Sequence, residues 1–394
     1  MPEARSVTTG FWVGVGGRDE APDVAGASHF LEHLLFKGTA GRSAREIAAS
    51  VDARGGEMNA FTAREHTAYY TRLPDRDLEF GLDLLTDVLS APALRPHEVD
   101  AEREVILEEI LLSEDTPDDK VHTVLYEALY PGHPLGREVL GSPDTVEVMT
   151  RDDIATFFGG HYRPANLVVA AAGRLDHDTV VEGVARCLED VEPGVRPERQ
   201  PPPPFAATTT VVRKPTEQAH LALGWRGLDQ DDDDRYALAV LNQVAGGGMS
   251  SRLFQEIREE RGLAYSVYSY SSLYSDAGAW AVYAGTSPAK VAEVLRLVDA
   301  EVDRLLESGV TADELAVAAG YLEGSLLLGL EDSGSRMARL GKSQISRGET
   351  LTVDEQVARI QAVTLDDVKR VIGRVLDAPR ALAVVGPFDE DAFT

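Results

Sequence analysis

Cysteine is nearly absent. With Cys187 alone the chain cannot close an internal disulfide, which excludes the disulfide frameworks of small secreted domains, argues against thiol chemistry and makes a reducing cytoplasm the expected location. Lysine is scarce as well, 6 residues against 32 arginines, while 66 acidic side chains set the formal charge at −28. A negative excess of that size disfavours nucleic acid and anionic membranes as partners and attracts basic peptides. No apolar run approaches the ~18 residues that span a bilayer. The first residues, Met1-Pro2-Glu3-Ala4-Arg5, lack the basic and hydrophobic regions of a signal peptide. What remains is ordinary globular composition, 43% hydrophobic over 394 residues, long enough for two domains with full cores.

Against that background one pentad stands out. His29-Phe30-Leu31-Glu32-His33 places two imidazoles four residues apart with a carboxylate beside them, and i, i+4 side chains share one face of a helix. Phe30, Leu31, Leu34 and Leu35 make the apolar stripe of that helix, Gly26-Ala27-Ser28 offers a cap, and Lys37-Gly38 supplies a cation and a breaker at its end. The pattern H-x-x-E-H is that of an inverted zincin, and with only 9 His in the chain its chance occurrence is roughly 0.02. Two His and one carboxylate bind zinc with a fourth tetrahedral position left for water, the mark of a catalytic rather than a structural site.

The carboxylate ligand must come from another element. Residues 96–112 have helical spacing, with Pro96 in the first turn and Val99, Val105, Ile106 and Ile110 as apolar positions. Glu102 and Glu109 fall on one stripe with Val105 and Ile106, where buried carboxylates need a positive partner such as a metal. Without the pentad, Glu98, Glu102, Glu104, Glu108 and Glu109 would read as a solvated acidic face.

Three segments together resemble the pitrilysin/insulinase family: Ala27 to Thr39, Gly55 to Thr67 and Glu102 to Glu109. The closest look is to the mitochondrial processing peptidase β-subunit and its single-chain bacterial relatives. The resemblance implies that Glu109 rather than Glu108 is the third zinc ligand beside His29 and His33, with one Zn2+ per chain, and that Glu102 is an auxiliary acid. It extends to Gly246-Gly247-Gly248-Met249-Ser250-Ser251-Arg252-Leu253-Phe254, followed by Arg258 and Tyr265, a pair that in the family holds the substrate backbone and the tetrahedral oxyanion. Met58 to Thr62 and Ala68 to Thr71 read as strands. By the same resemblance Asn59, Ala60 and Phe61 offer an edge to an extended peptide, while Glu65 and His66 are structural.

The implied activity is that of a zinc metalloendopeptidase for unfolded or presequence-like peptides, with Glu32 as general base toward the water at the metal. A non-catalytic assembly subunit of the same fold is the alternative, and the intact His29, Glu32, His33 and Glu109 favour the enzyme. Because zinc ligands and the Arg258/Tyr265 pair occur on one chain, a homodimer with the pair acting in trans is expected, or else a heterodimer with a metal-free paralogue.

Fold class follows from organisation. Residues 191–204, with four consecutive prolines at 201–204, read as a semi-rigid linker between an N-terminal zinc-binding domain at 1–190 and a C-terminal domain at 205–394 carrying Arg258 and Tyr265. Both halves end alike. Thr150-Arg151-Asp152-Asp153-Ile154 opens a helix leading to the strand 167–172, and Thr364-Leu365-Asp366-Asp367-Val368, 214 residues on, opens another leading to 381–385. The expected fold is α+β, two homologous domains, each an antiparallel or mixed β-sheet packed with α-helices. Asp231 to Asp234 reads as an N-terminal helix charge bias. Relatives carry roughly twenty residues before the position of Ser6, including a strand expected to pair with Thr8 to Val15, so either the start lies upstream or the first sheet lacks an edge strand.

Overall fold

The computed structural model describes residues 1–188 and 191–393; the boundary at residue 190 and the side chain of Cys187 lie outside the described residues. In chain order the elements are β1 (Ser6–Val13), α1 (Ala27–Leu35), α2 (Ala44–Asp52), β2 (Glu57–Thr62), β3 (Thr67–Pro74), α3 (Leu78–Ser90), α4 (Pro96–Asp115), α5 (Pro117–Leu129), α6 (Pro143–Val148), α7 (Arg151–His161), β4 (Leu167–Gly173) and α8 (His177–Leu188). They continue with β5 (Thr208–Arg213), β6 (Ala219–Arg226), α9 (Arg235–Ala245), β7 (Ala264–Leu273), β8 (Gly278–Thr286), α10 (Val291–Ser308), α11 (Ala312–Gly329), α12 (Ser333–Arg347), α13 (Val353–Gln361), α14 (Leu365–Leu376) and β9 (Arg380–Gly386).

Two compact units result, and neither is contiguous in sequence. The first comprises Met1–Leu111, Arg137–Arg199 and Gly329–Thr350; the second comprises Leu112–Gly136, Gln200–Leu328 and the chain from Leu351 onward. Each unit thus includes α12 or α5 from the other half of the sequence, an exchange that a division at 191–204 does not anticipate.

The first unit is built on an antiparallel sheet of order β2-β3-β1-β4. Nearly all of β1 is buried, as expected of a strand covered on both faces. One face packs Phe11, Val13 and Tyr69 against Leu31 and Leu34 of α1, Leu85 of α3 and Ile154 of α7. On the other face Trp12, Ala68, Ala170 and Ala172 receive Met337 and Ile345 of α12. Because β1 is hydrogen-bonded to β3 on one side and β4 on the other, no further strand can pair with Thr8 to Val13, which corrects the expectation of an upstream partner there.

The second unit repeats this plan. Its sheet has the order β5-β9-β6-β8-β7, which is the first sheet's order with β6 to β9 in place of β1 to β4, plus β5 added parallel to β9. Leu223, Trp225, Trp280 and Val282 pack against Leu241 of α9, Val298 of α10 and Ile372 of α14. The opposite face, with Ala222, Ala281 and Ala383, receives Leu125 and Leu129 of α5. Alanine-lined faces and one glycine per sheet seat the exchanged helices. A Cβ on Gly10 would lie 2.4 Å from Met337 Sδ, and a Cβ on Gly224, 214 residues later, would lie 2.9 Å from Leu125 Cδ1. Thr150 and Thr364 both form capping boxes, with Asp153 and Asp367, at the starts of α7 and α14.

The acidic run sits at the start of α9, as expected, and does more than bias that helix end. Asp234 is the N-cap residue but makes no side-chain cap. Asp232 pairs with Arg374, and Asp234 with both Arg370 and Arg374, so α9 is tied to α14.

Candidate metal centre

The site begins with two helices of the first unit. In α1 Phe30, Leu31, Leu34 and Leu35 are buried, and their packing leaves His29, Glu32 and His33 on the half-buried face. The cap differs from the expected one. Gly26 is the N-cap residue at φ 98, no side chain of the segment caps the helix, and the Glu20 carboxylate instead accepts from Gly26 N and Ser28 N, each at 2.7 Å. In α4 Val99, Ile106 and Ile110 are buried and Glu102 is 5% exposed among them, whereas Val105, expected on the same stripe, is 43% exposed.

These helices bring the pentad and the third carboxylate together. His29 Nε2 and His33 Nε2 each lie 3.6 Å from Glu109 Oε2, and the three residues offer ligand atoms all within 4.8 Å of one another. Zinc bonds of ~2.0–2.1 Å place tetrahedral donors about 3.3 Å apart, so this donor set fits zinc with small adjustments. Two further observations agree. Burial, and then the neighbouring His33, push the His29 imidazole down to about 4, which keeps it neutral and able to donate a lone pair. Glu102 Oε2 lies 3.1 Å from His33 Nδ1, which places the proton of His33 on Nδ1 and frees Nε2 for a metal. The buried Glu102 is also paired through its other oxygen with Lys37, which offsets its desolvation.

Glu32 stands beside the ligands. Its Oε2 accepts from Thr62 Oγ1 at 2.5 Å. Burial raises its carboxyl above the usual range, and the Thr62 bond and His33 oppose that rise. Thr62 closes β2, which has β3 on one side only and is an edge strand. Ala60 points its side chain inward at 9% exposure, and its N–H is taken by Asn59 Oδ1 at 2.8 Å, while Phe61 is 38% exposed and meets Trp12 edge-on. Glu65 pairs with the buried Arg18 and His66 packs near Trp12, in keeping with structural roles.

Arg258 and Tyr265 belong to the second unit. Arg258 lies on a π-helical turn, Phe254–Glu259, with its guanidinium carbon 4.8 Å from the Phe254 ring centre and 5.0 Å from that of Tyr265. Tyr265 is 81% exposed. Sequence reasoning missed three contributors: Thr62 as the partner of Glu32, Lys37 as the partner of Glu102, and Glu20 as the cap of α1. Position 62 was visible as the end of a strand beside the pentad; Glu20 carried no local signal.

Comparison with known proteins places the whole chain. Residues 1–143 match the family described as insulinase (peptidase family M16), and residues 149–320 match the peptidase M16 inactive domain. A protein named as an uncharacterized zinc protease of Streptomyces coelicolor is 48% identical over 99% of this chain and 87% of its own length. The chain belongs to the M16 peptidase family. Other M16 relatives include proteins named as zinc proteases in Mycobacterium tuberculosis, 44% identical over 98% of the chain and 90% of the relative, and in Bacillus subtilis, 39% identical over 98% and 94%. The fold is shared with a protease from Helicobacter pylori at TM-score 0.92 and 23% identity, covering 98% of this chain and 95% of that one. It is also shared with a peptidase M16 inactive domain from Pseudomonas fluorescens at TM-score 0.91 and 22% identity, covering 99% and 95%. Among the described residues no helix is long and apolar enough to cross a membrane.

Proposed function

We propose that this M16 member is a zinc-dependent metalloendopeptidase that cleaves unfolded or presequence-like peptides bound in extended form. The observation that carries the reading is the convergence of His29 Nε2, His33 Nε2 and Glu109 Oε2 beside the Glu32 carboxylate. Bound there, zinc supplies a Lewis acid that polarises a peptide carbonyl. Glu32 does the proton work. Its Oε2 is held by Thr62, so Oε1 is left to accept a proton from the attacking water and return it to the leaving amine, a contribution of roughly 10²–10⁴-fold. Burial keeps this carboxyl basic enough for the task.

The substrate is held by β2. An extended peptide adds to its free edge through main-chain hydrogen bonds, which demands little of the sequence. Asn59 must release the Ala60 N–H for that bond to form, and the direct contact of Thr62 with Glu32 ties the end of this strand to the proton-transfer group. Arg258 and Tyr265, acting in trans from a second copy of the chain in a homodimer, are assigned to the substrate backbone and the oxyanion, as donors that act where charge develops. Their stacking and the exposure of Tyr265 support that role. The net charge of −28 favours basic peptides.

The test is metal content together with cleavage of a quenched basic peptide by the purified protein and by Glu32→Gln. The expected result is zinc near one per chain in both proteins and hydrolysis in the first alone. A zinc-loaded protein whose hydrolysis survives Glu32→Gln would refute the proton-transfer role, and a chain that takes up no zinc would refute the enzyme.

A further inference from the structure

The two histidines of the pentad are braced differently. His33 has Glu102 on its Nδ1 at 3.1 Å, whereas Nδ1 of His29 is buried and has no hydrogen-bond partner. The placement of His29 therefore rests on the backbone of the first turn of α1. That helix is nine residues long, too short to hold its own ends firmly, and no residue of Gly26 to Ser28 caps it with a side chain.

What holds the first turn is Glu20. Its two carboxylate oxygens accept separately from Gly26 N and Ser28 N, both at 2.7 Å, with the residue only 4% exposed. A carboxylate so placed also meets the positive end of the helix dipole. The loop that carries Glu20 is fixed in turn by residues far along the chain. Arg137 Nη2 donates to the carbonyl oxygens of Glu20 at 2.6 Å and Gly17 at 3.2 Å, and Thr145 Oγ1 donates to Ala25 O at 2.8 Å. The loop before α1 is thus clamped at both ends, and of its two buried carboxylates Asp19 is taken by Gly16 N and Arg199 while Glu20 is spent on the turn that carries His29.

We infer that Glu20 is a positioning residue for the metal centre, setting His29 through the first turn of α1 as Glu102 sets His33 through its ring. This rests on the metal reading above. Because two N–H groups each need an acceptor, a glutamine, with one carbonyl oxygen, satisfies one of them, and alanine satisfies neither. The effect should therefore be graded.

The experiment is zinc affinity by chelator competition and the visible absorption spectrum of the Co2+-loaded protein, for the wild type, Glu20→Gln and Glu20→Ala, at a temperature where circular dichroism shows each metal-free protein folded. Loss of partners that orient a ligand typically costs about 10–100-fold in metal affinity. Glu20→Ala is expected to fall in that range, with Glu20→Gln between it and the wild type, and with the Co2+ bands shifted in both. A purely structural role would lower the melting temperature and leave the Co2+ spectrum unmoved. Wild-type affinity and spectrum in a folded Glu20→Ala protein overturn the proposal, and where that variant does not fold, the same result in Glu20→Gln does so. A wild-type protein that binds neither ion overturns the metal reading itself, and this role with it.

Discussion

At the scale of single residues, the centre shows how one buried charge is made tolerable and useful at once. Glu102 is 5% exposed, and its two oxygens face His33 Nδ1 and Lys37 Nζ, one partner for each. Glu102→Gln keeps an acceptor for His33 but removes the charge that favours an Nδ1 proton. Zinc affinity is therefore expected to drop about tenfold, and Glu102→Leu, which removes the acceptor as well, about a hundredfold. Chelator competition measures both, and equal affinities for all three proteins would show that Glu102 does not orient His33. Residue types at fixed spacing made the pentad legible in sequence, because a helix converts i, i+4 into proximity without further information. The partners were not legible for the converse reason. Thr62 reaches Glu32, and Lys37 reaches Glu102, only after a strand and a second helix have packed against α1.

Elements were readable where their signal was local. Thr150 and Thr364 begin helices as capping boxes, and the repeat between the two halves rests on them. The cap of α1 was not readable, since a carboxylate six residues before the N-cap, folded back from the loop that leads into the helix, leaves no pattern. Nor was the position of α12. Its sequence is amphipathic enough to predict a helix but says nothing of which sheet it covers. The fit itself is close: a Cβ on Gly341 of α12 would lie 2.0 Å from Trp12 Nε1 and 2.3 Å from Trp12 Cε2, atoms of a rigid ring with 1% exposure. Gly341→Ala should gain helix propensity of about 1 kcal/mol yet lose more through overpacking, typically 1–3 kcal/mol. A net destabilisation on the order of 1 kcal/mol is expected in urea unfolding; a variant as stable as the wild type or more so would mean that α12 can shift away from β1 without cost.

For the molecule as a whole, composition and a short repeat indicated two related α+β halves, and the sheets have that relation. What sequence could not show is that α5 completes the second sheet and α12 the first. The polypeptide from 191 to 207 contains no regular secondary structure among its residues, and Arg199 within it bonds to Asp19, Gly14 O and Glu65 O. A protease recognition sequence placed after Pro204 and cut in the folded protein is expected to leave fragments that co-elute in native size exclusion and separate only in denaturant. Fragments that part without denaturant would show that the exchanged helices contribute little. Leu125 and Leu129 in one direction, Met337 and Ile345 in the other, act as a clasp closed from both sides. A gene lineage holding such a clasp cannot shed the half that lacks a metal motif, or lend the other half to a new protein, without uncovering a sheet.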